Sequence, residues 1–326
     1  AEGGLAEVSM SNRRILLHMG THKTGSTSMQ AAFARNRDLL RSHGLLYLGT
    51  EQAYPNLYSA FLDDPVAEDW NRVQGLDEAQ VRARDAQVRD DLAAALEGAA
   101  EPNVMISSEY LSMLSRGEME RLRDFLAPHG RVQAVYFYRE LISWMASDSQ
   151  EMAKVGLRAR PVLFATAMKR IIDFPLLIDA VFGPAVTFIK FEEAVAAGIS
   201  NTFLTTFGLP TLDTLGVTEP RLNEGISDNA TRALFLYNRL HPVGSATRDP
   251  ETVARLAALP GEKYRITGFK PGQIEVYARR RAEVQAKLGL RLTPPEQMPR
   301  SPHLDPLAEE IFAMLQEVSR GETVLG

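Results

Sequence analysis

The 326-residue chain contains no cysteine. Without a thiol it cannot form a disulfide, a thiolate metal site or a cysteine nucleophile. The absence of cysteine does not by itself decide the compartment.

The chain also lacks a long apolar run and an excess of positive charge. A composition of 45% hydrophobic and 24% charged residues is typical of a soluble globular protein without a transmembrane segment. The formal net charge of −5 disfavours nucleic acid as a partner, because nucleic-acid-binding domains usually carry a basic surface. Local basic groups can still bind an anionic ligand.

The N-terminal stretch has no apolar segment of the kind found in signal peptides, so we expect none in this chain and a cytoplasmic protein. Because the numbering begins at Ala1 and the first methionine is Met10, we expect residues 1–12 to be a flexible N-terminus or a cloning remnant. The length allows about two domains. We nevertheless expect residues 13–326 to form a single domain, with 209–326 as a mostly helical cover.

Short apolar runs alternate with helical periodicity along the chain, which predicts an α/β fold with a doubly wound parallel sheet flanked by helices. An irregular segment, 51–75, is expected to line a substrate site. The predicted strands begin at Ile15 and continue with Leu45–Leu48, Val104–Ser108, Val132–Tyr138 and Val186–Phe191. The predicted helices are Met29–Leu40, Leu76–Leu96, Arg116–Leu126, Leu141–Val155, Val162–Val181, Asn229–Leu240, Pro250–Leu259, Gln273–Leu288 and Pro306–Val318.

The junction between the first strand and its helix has the composition of an anion-binding loop. Gly20 and Gly25 bound a turn that contains Lys23, and the hydroxyl residues Ser26–Ser28 begin the helix. Backbone N–H groups converge at such a junction, and the helix dipole adds partial positive charge. The segment therefore predicts a site for a phosphate or sulfate group.

The position of the lysine indicates which anion is bound. In the nucleotide kinase loop G-x-x-x-x-G-K-[ST] the lysine follows the second glycine, where this chain has Ser26. Here Lys23 lies two residues before Gly25, and the sequence HKTGSTS at His22–Ser28 resembles the 5′-phosphosulfate loop of sulfotransferases that use 3′-phosphoadenosine 5′-phosphosulfate (PAPS), in its bacterial form. The resemblance implies a P-loop-like fold, PAPS as cofactor and no metal. The implied phosphosulfate contacts are His22, Lys23, Thr24, Gly25, Ser26, Thr27 and Ser28.

A second basic element follows the strand that ends at Tyr138. Arg139 comes directly after it, and Ser147 lies eight residues later, which is about two helical turns. Both side chains can therefore lie on one face of the helix. This spacing resembles the 3′-phosphate-binding element of the PAPS family, which implies that Arg139 and Ser147 bind the cofactor.

Three residues compete for the role of general base. Glu109 closes the strand Val104–Ser108, and glycan-modifying members of the family have a glutamate at the comparable strand end. His22 lies in the loop, where we expect it to contact phosphosulfate or acceptor. His18 alternates with apolar residues, and we expect a hydrogen-bonded core histidine. The choice between Glu109 and a histidine stays open, whereas Lys23 is expected to stabilise the bridging oxygen of the leaving group.

Two further features bear on the cofactor. Trp144 could stack on adenine, although a core position is the stronger expectation. Many eukaryotic family members close the 3′-phosphate site with a glycine-rich basic segment. Only Gly268–Gly272 or Arg279–Arg281 could serve here, and neither matches well.

The resemblance implies in-line transfer of a sulfuryl group from PAPS to an acceptor hydroxyl of a glycan or other small molecule, with adenosine 3′,5′-bisphosphate as product. One alternative is a small-molecule kinase that uses ATP and Mg²⁺, but that reading predicts a lysine in place of Ser26 and an aspartate at a strand end. A second alternative is a non-catalytic protein that binds a nucleotide or a sulfated glycan. The acceptor and the oligomeric state stay open.

Overall fold

The fold is described from a computed structural model for residues 12–51, 54–220 and 225–300. These residues form a five-stranded sheet in the order β2-β3-β1-β4-β5, with every neighbouring pair parallel. Helices cover the sheet, so the predicted α/β class is confirmed. The strands are β1 Arg14–His18, β2 Leu45–Tyr47, β3 Asn103–Ser107, β4 Arg131–Tyr138 and β5 Val186–Lys190.

Most predicted helices appear close to their expected bounds. In the N-terminal part the helices are α1 Ser26–Arg35, α2 Arg37–Ser42, α3 Pro55–Ser59, α4 Asp69–Val73, α5 Glu78–Glu97, α6 Arg116–Leu126 and α7 Leu141–Lys154. They continue with α8 Phe164–Met168, α9 Phe174–Phe182, α10 Phe191–Ala197, α11 Ile199–Thr206, α12 Asp228–Leu240, α13 Pro250–Ala257 and α14 Pro271–Leu288.

The differences from the predicted elements have local causes. The first helical pattern is divided at Asn36 into α1 and α2. The pattern 162–181 contains a π-helical turn, Lys169–Asp173, before α9. Pro175 in the first turn of α9 has no N–H and so removes one helical hydrogen bond, which accounts for the break. The segment predicted to be irregular, 51–75, contains α3 and α4.

Side chains of β1 alternate between two hydrophobic cores. Ile15 and Leu17 belong to the core shared with α5, α6, α7, α9, α12 and α14. Leu16 belongs to the core shared with α1, α2 and α11. The sheet therefore separates two helical layers, as expected when both faces of a parallel sheet are covered.

The C-terminal helices pack on one of these layers. Leu234 of α12 and Tyr277 and Val284 of α14 are buried in the same core as Ile15. The predicted helix Pro306–Val318 and residues 1–11 lie outside the described residues.

The chain leaves β1 and β4 on opposite faces of the sheet. The connection from β1 passes through α1, whose Met29 and Phe33 lie in one core, whereas the connection from β4 passes through α7, whose Leu141 and Trp144 lie in the other. Because β1 and β4 are neighbours, this divergence opens a crevice beyond their carboxyl ends. Ligands bind at this position in open parallel sheets.

We expect Leu17→Ala to lower the free energy of unfolding by about 2–5 kcal/mol, because it leaves a cavity in the core. Leu17 is 0% exposed, whereas Leu157, the matched control, is 67% exposed. Leu157→Ala should change the free energy by no more than about 0.5 kcal/mol. Urea unfolding measures both values, and equal losses in the two variants would contradict the assignment of β1 to the core.

Candidate functional site

The loop after β1 stays hydrogen-bonded to β4 beyond the end of the strand. The N–H of Met19 donates to the carbonyl of Val135 at 2.9 Å, and the N–H of Thr21 donates to Phe137 at 3.0 Å. The N–H of Phe137 donates in turn to the carbonyl of Gly20 at 2.7 Å. These bonds fix the start of the loop against the crevice.

Side chains from the β4 end hold the tip of the loop. The guanidinium of Arg139 donates to the carbonyl of Lys23, and the indole of Trp144 donates to the carbonyl of His22 at 2.9 Å. Lys23 has a φ of +67°, in the left-handed region, and Gly25 follows with a φ of +74°. Trp144 is 1% exposed, so it belongs to the core and is not available to stack on adenine.

Helix α1 begins directly after this turn with its positive end toward the crevice. Its first turn contains the hydroxyl residues Ser26–Ser28 and no acidic residue, and Gly25 precedes it without a capping side chain. The helix dipole is therefore not compensated by a carboxylate of its own. Thr24 is fully buried, and its hydroxyl donates to the carbonyl of Thr21 at 2.5 Å, so this side chain stabilises the turn.

A cavity of about 1420 Å³ lies above the crevice. It brings together every residue that the sequence assigned to the site except Thr24. The assigned residues that line it are His22, Lys23, Gly25, Ser26, Thr27, Ser28, Glu109, Arg139 and Ser147.

Four cations line the cavity without an ion pair to any carboxylate in the described ranges. They are Lys23, Arg139, Lys263 and Arg265. Arg139 donates through Nε to the hydroxyl of Ser143 at 2.7 Å, and burial lowers the pKa of Arg139 to about 10. The guanidinium remains charged at neutral pH and retains donors for a ligand.

Several acidic residues of the cavity are already engaged. Glu151 forms an ion pair with Lys154 at 2.8 Å, and Glu140 forms one with Lys190 at 2.6 Å. Glu219 accepts a hydrogen bond from a serine hydroxyl at 2.7 Å. Glu109, Asp213 and Glu219 form no ion pair in the described ranges, so four unpaired cations face three unpaired carboxylates. The small positive excess favours an anionic ligand.

Two of these cations belong to a segment that sequence analysis missed. Residues 263–267 line the cavity, with Tyr264 and Ile266 buried in the core between the exposed basic residues. The alternation of buried and exposed side chains is the one local signal of this extended segment. Neither Gly268–Gly272 nor Arg279–Arg281, the two segments considered for closing the 3′-phosphate site, lines the cavity.

Lys23 lies in a partly desolvated position. Burial lowers its pKa, and the carboxylates of Glu151, Asp148 and Glu109 act in the opposite direction. None of the three forms an ion pair with it. The ammonium group is thus available to interact with an anion that enters the loop.

Glu109 follows β3 and is 7% exposed. The amide of Gln30 donates to Glu109 Oε2 at 3.0 Å and to the hydroxyl of Ser107 at 3.1 Å. A Cβ on Gly20 would lie 3.1 Å from the Cβ of Glu109, so glycine permits this close approach. Gln30 is a second site residue that sequence analysis missed, and it orients the carboxylate.

His22 is held in its neutral form. Burial lowers its pKa well below the ordinary value, and the charges of Arg170 and Lys23 lower it further. The guanidinium of Arg170 donates to Nδ1 of His22 at 3.3 Å, which leaves the imidazole proton on Nε2. In this tautomer Nε2 donates a hydrogen bond rather than accepting a proton.

His18 is a core residue, as expected. It is 0% exposed, and Nδ1 lies 2.8 Å from the hydroxyl of Ser107. Burial lowers the pKa of His18 to about 3. It does not line the cavity and so has no direct access to a ligand there.

The described ranges contain neither a candidate metal site nor a helix that could span a membrane. No group of three or more histidine, aspartate and glutamate side chains is arranged there to hold a metal ion. No helix in the same ranges combines the length and hydrophobicity that crossing a membrane requires.

Comparison with known proteins leaves the family open. No family model matches the chain, and no curated protein matches it.

We expect the stability of the protein to fall as the pH decreases from about 6.5 toward 3, in part because of His18. The unfolded chain binds a proton at this residue near the ordinary value of 6.5, whereas the folded protein does so only at about 3. The contribution is fully present above pH 6.5 and is lost as the pH falls through this window.

His18→Asn removes the titrating group. Its free energy of unfolding should therefore depend on pH less steeply than that of the natural chain, by at most about 1.4 kcal/mol per pH unit. Urea titrations at several pH values measure the slopes. His43→Asn is the control, because His43 is exposed. Equal slopes in the natural chain and in His18→Asn would show that His18 is not held neutral.

Proposed function

We propose that the chain is a PAPS-dependent sulfotransferase that transfers a sulfuryl group to an acceptor hydroxyl of a glycan or other small molecule. The observation that carries this proposal is the gathering of the HKTGSTS loop, Arg139, Ser147 and Glu109 around one cavity. These residues are far apart in the sequence and were assigned from it separately.

The donors of the cavity fit a ligand with two separate anionic groups. Lys23, the loop and the first turn of α1 supply one set of donors. Arg139 and Ser147 supply a second set, to which Lys263 and Arg265 add charge. PAPS carries a 5′-phosphosulfate and a 3′-phosphate, and we assign the first group to the loop and the second to the other set. With this assignment we also propose that the fold is P-loop-like, because the anion-binding loop follows the central strand β1.

When bound, PAPS supplies the activated sulfuryl group. The ammonium of Lys23 would stabilise negative charge that develops at the phosphate side of the site. Glu109 would accept the proton of the acceptor hydroxyl, and Gln30 would keep its carboxylate in place. Positioning and electrostatics would thus supply most of the catalysis, as in phosphoryl transfer.

The geometry favours Glu109 over His22 as the base. The Nδ1 atom of His22 already accepts a hydrogen bond from Arg170, and Nε2 carries the proton. Glu109 Oε2 accepts one hydrogen bond from Gln30, and a carboxylate retains further acceptor sites. We therefore assign His22 to binding through its N–H group.

We expect adenosine 3′,5′-bisphosphate to stabilise the protein more than adenosine 5′-monophosphate does. A ligand at 100 times its dissociation constant adds about 2.7 kcal/mol to the free energy of unfolding. The two nucleotides differ only in the 3′-phosphate. The difference between the stabilisations that they give therefore measures the contribution of that group. Thermal unfolding and calorimetric titration measure it.

Arg139→Gln should remove most of the preference for the bisphosphate. Ser147→Ala should weaken it less, by about 1 kcal/mol for one hydrogen bond. Arg232→Gln is the matched control, because Arg232 is exposed and pairs with Asp228 on α12 at 2.6 Å. Stabilisation by ATP with Mg²⁺ in place of the bisphosphate would favour a small-molecule kinase, and no stabilisation by either would contradict nucleotide binding.

We expect Glu109→Gln to lower kcat by about 10²- to 10⁴-fold, because it removes the base. The affinity for adenosine 3′,5′-bisphosphate should stay close to that of the natural chain. Formation of the bisphosphate from PAPS, assayed with a panel of hydroxylated acceptors, measures kcat. His22→Asn is the comparison, and a larger loss there than in Glu109→Gln would transfer the role of base to the histidine. Full activity in both variants would contradict this mechanism.

A further inference from the structure

A fifth cation lies beside the loop but outside the large cavity. Arg170 is partly buried in the π-helical turn Lys169–Asp173 and contacts His22, yet it does not line the cavity. π-Helical turns inside helices occur frequently at functional sites. Arg170 is therefore a basic group beside the loop that the lining of the large cavity does not include.

Within the described residues, the close contacts of the Arg170 guanidinium are with neutral groups. Nη1 lies 3.3 Å from His22 Nδ1, and Nη2 lies 3.2 Å from the sulfur of Met113. The guanidinium also stacks on the ring of Phe174, 5.1 Å from its centroid. In the part of the chain that the structure describes, no carboxylate forms an ion pair with Arg170.

The nearby carboxylate of Asp148 acts on Arg170 without forming an ion pair with it. Burial lowers the pKa of Arg170, and the carboxylate of Asp148 acts in the opposite direction. Asp148 is itself paired with Arg158 at 3.0 Å. A desolvated cation without a counter-ion is costly to the fold, and an entering anion removes that cost.

Two tyrosines, Tyr58 and Tyr110, lie close enough to act electrostatically on Arg170. Tyr110 packs edge-on against His22, with ring centroids 4.9 Å apart, and Tyr58 lies 6.0 Å from Tyr110. Neither hydroxyl has a hydrogen-bond partner among the described residues. Burial raises the pKa of Tyr58 to about 12 and raises that of Tyr110, so both remain protonated donors.

The charge is fixed in place before any ligand arrives. The hydroxyl of Tyr136 on β4 donates to the carbonyl of Arg170 at 2.7 Å, which anchors the backbone of the π-helical turn. Phe174 and His22 orient the guanidinium, and His22 directly precedes Lys23 in the loop. Such preorganisation favours specific binding over a loose surface contact.

We propose that Arg170, with Tyr58 and Tyr110, is an oxyanion-binding subsite that recognises an acidic group on the acceptor. The assignment to the acceptor depends on the proposed function, because the large cavity then holds the cofactor, whereas Arg170 contacts His22 without lining that cavity. The acceptor class is a hydroxyl compound that carries a carboxylate or a sulfate ester. The oxyanion subsite itself depends only on the contacts of Arg170.

Binding of simple sugars tests this subsite without an assay of transfer. The probes are D-glucuronate, D-glucose 6-sulfate and neutral D-glucose, titrated into the protein saturated with adenosine 3′,5′-bisphosphate. We expect at least one of the two anions to bind about tenfold more tightly than glucose, which corresponds to ~1.4 kcal/mol. A preference for glucuronate alone indicates a carboxylate-bearing acceptor, and a preference for the sulfate ester alone indicates a partly sulfated one.

Three variants and a control make the test specific. Arg170→Met should abolish the preference for the anion, Arg170→Lys should retain part of it, and Tyr110→Phe should reduce it by about fivefold for one lost hydrogen bond. Arg232→Met should leave it unchanged. If Arg170→Met does not fold, Arg170→Lys and Tyr110→Phe give the same comparison.

The failure of this inference can be told from the failure of the proposed function. If the bisphosphate binds but no anion is preferred over glucose, the subsite is wrong and the proposed function stands. If the bisphosphate does not bind, the three sugars are titrated into the protein alone, and these titrations decide whether the oxyanion subsite exists. A preference that depends on Arg170 then supports the oxyanion subsite alone, and its absence overturns it.

Discussion

Hydrogen bonds between β4 and the loop that follows β1 hold the candidate site together. The backbone bonds of Met19, Thr21 and Gly20 extend the pairing of two neighbouring strands past the end of β1. Arg139 and Trp144 then hold the tip of the loop from the start of the next helix. Both contacts are made to backbone carbonyls, so they leave the side chains of His22 and Lys23 unconstrained by Arg139 and Trp144. Within the loop, the Thr24 hydroxyl bonds back to the turn.

The electrostatics of the site are decided locally and not by the whole chain. The protein carries a net charge of −5, yet its large cavity is lined by four cations without a described counter-ion. The acids Glu140 and Glu151 in the same cavity are neutralised by lysines. This arrangement separates solubility, which depends on net charge, from recognition, which depends on the unpaired groups.

Features with a short-range signal could be predicted from the sequence. The alternation of strands and helices predicted the parallel sheet, and the helical period placed Ser147 on the same cavity as Arg139. Gln30 was missed because its role depends on contact with β3, distant in sequence. The basic segment 263–267 was missed because it comes to the cavity only through tertiary packing. Arg170 lay within a helical pattern, and only the fold shows that no carboxylate of the described residues pairs with it.

The backbone of Lys23 has a consequence for how the protein can change. Its left-handed conformation costs a residue with a side chain about 1–2 kcal/mol, whereas glycine adopts it without that cost. A variant selected for stability alone would therefore tend to replace this lysine. Lys23 therefore lowers the stability of the turn while it places an ammonium group beside the N-terminus of α1. Stability and positive charge at this position cannot both be maximal.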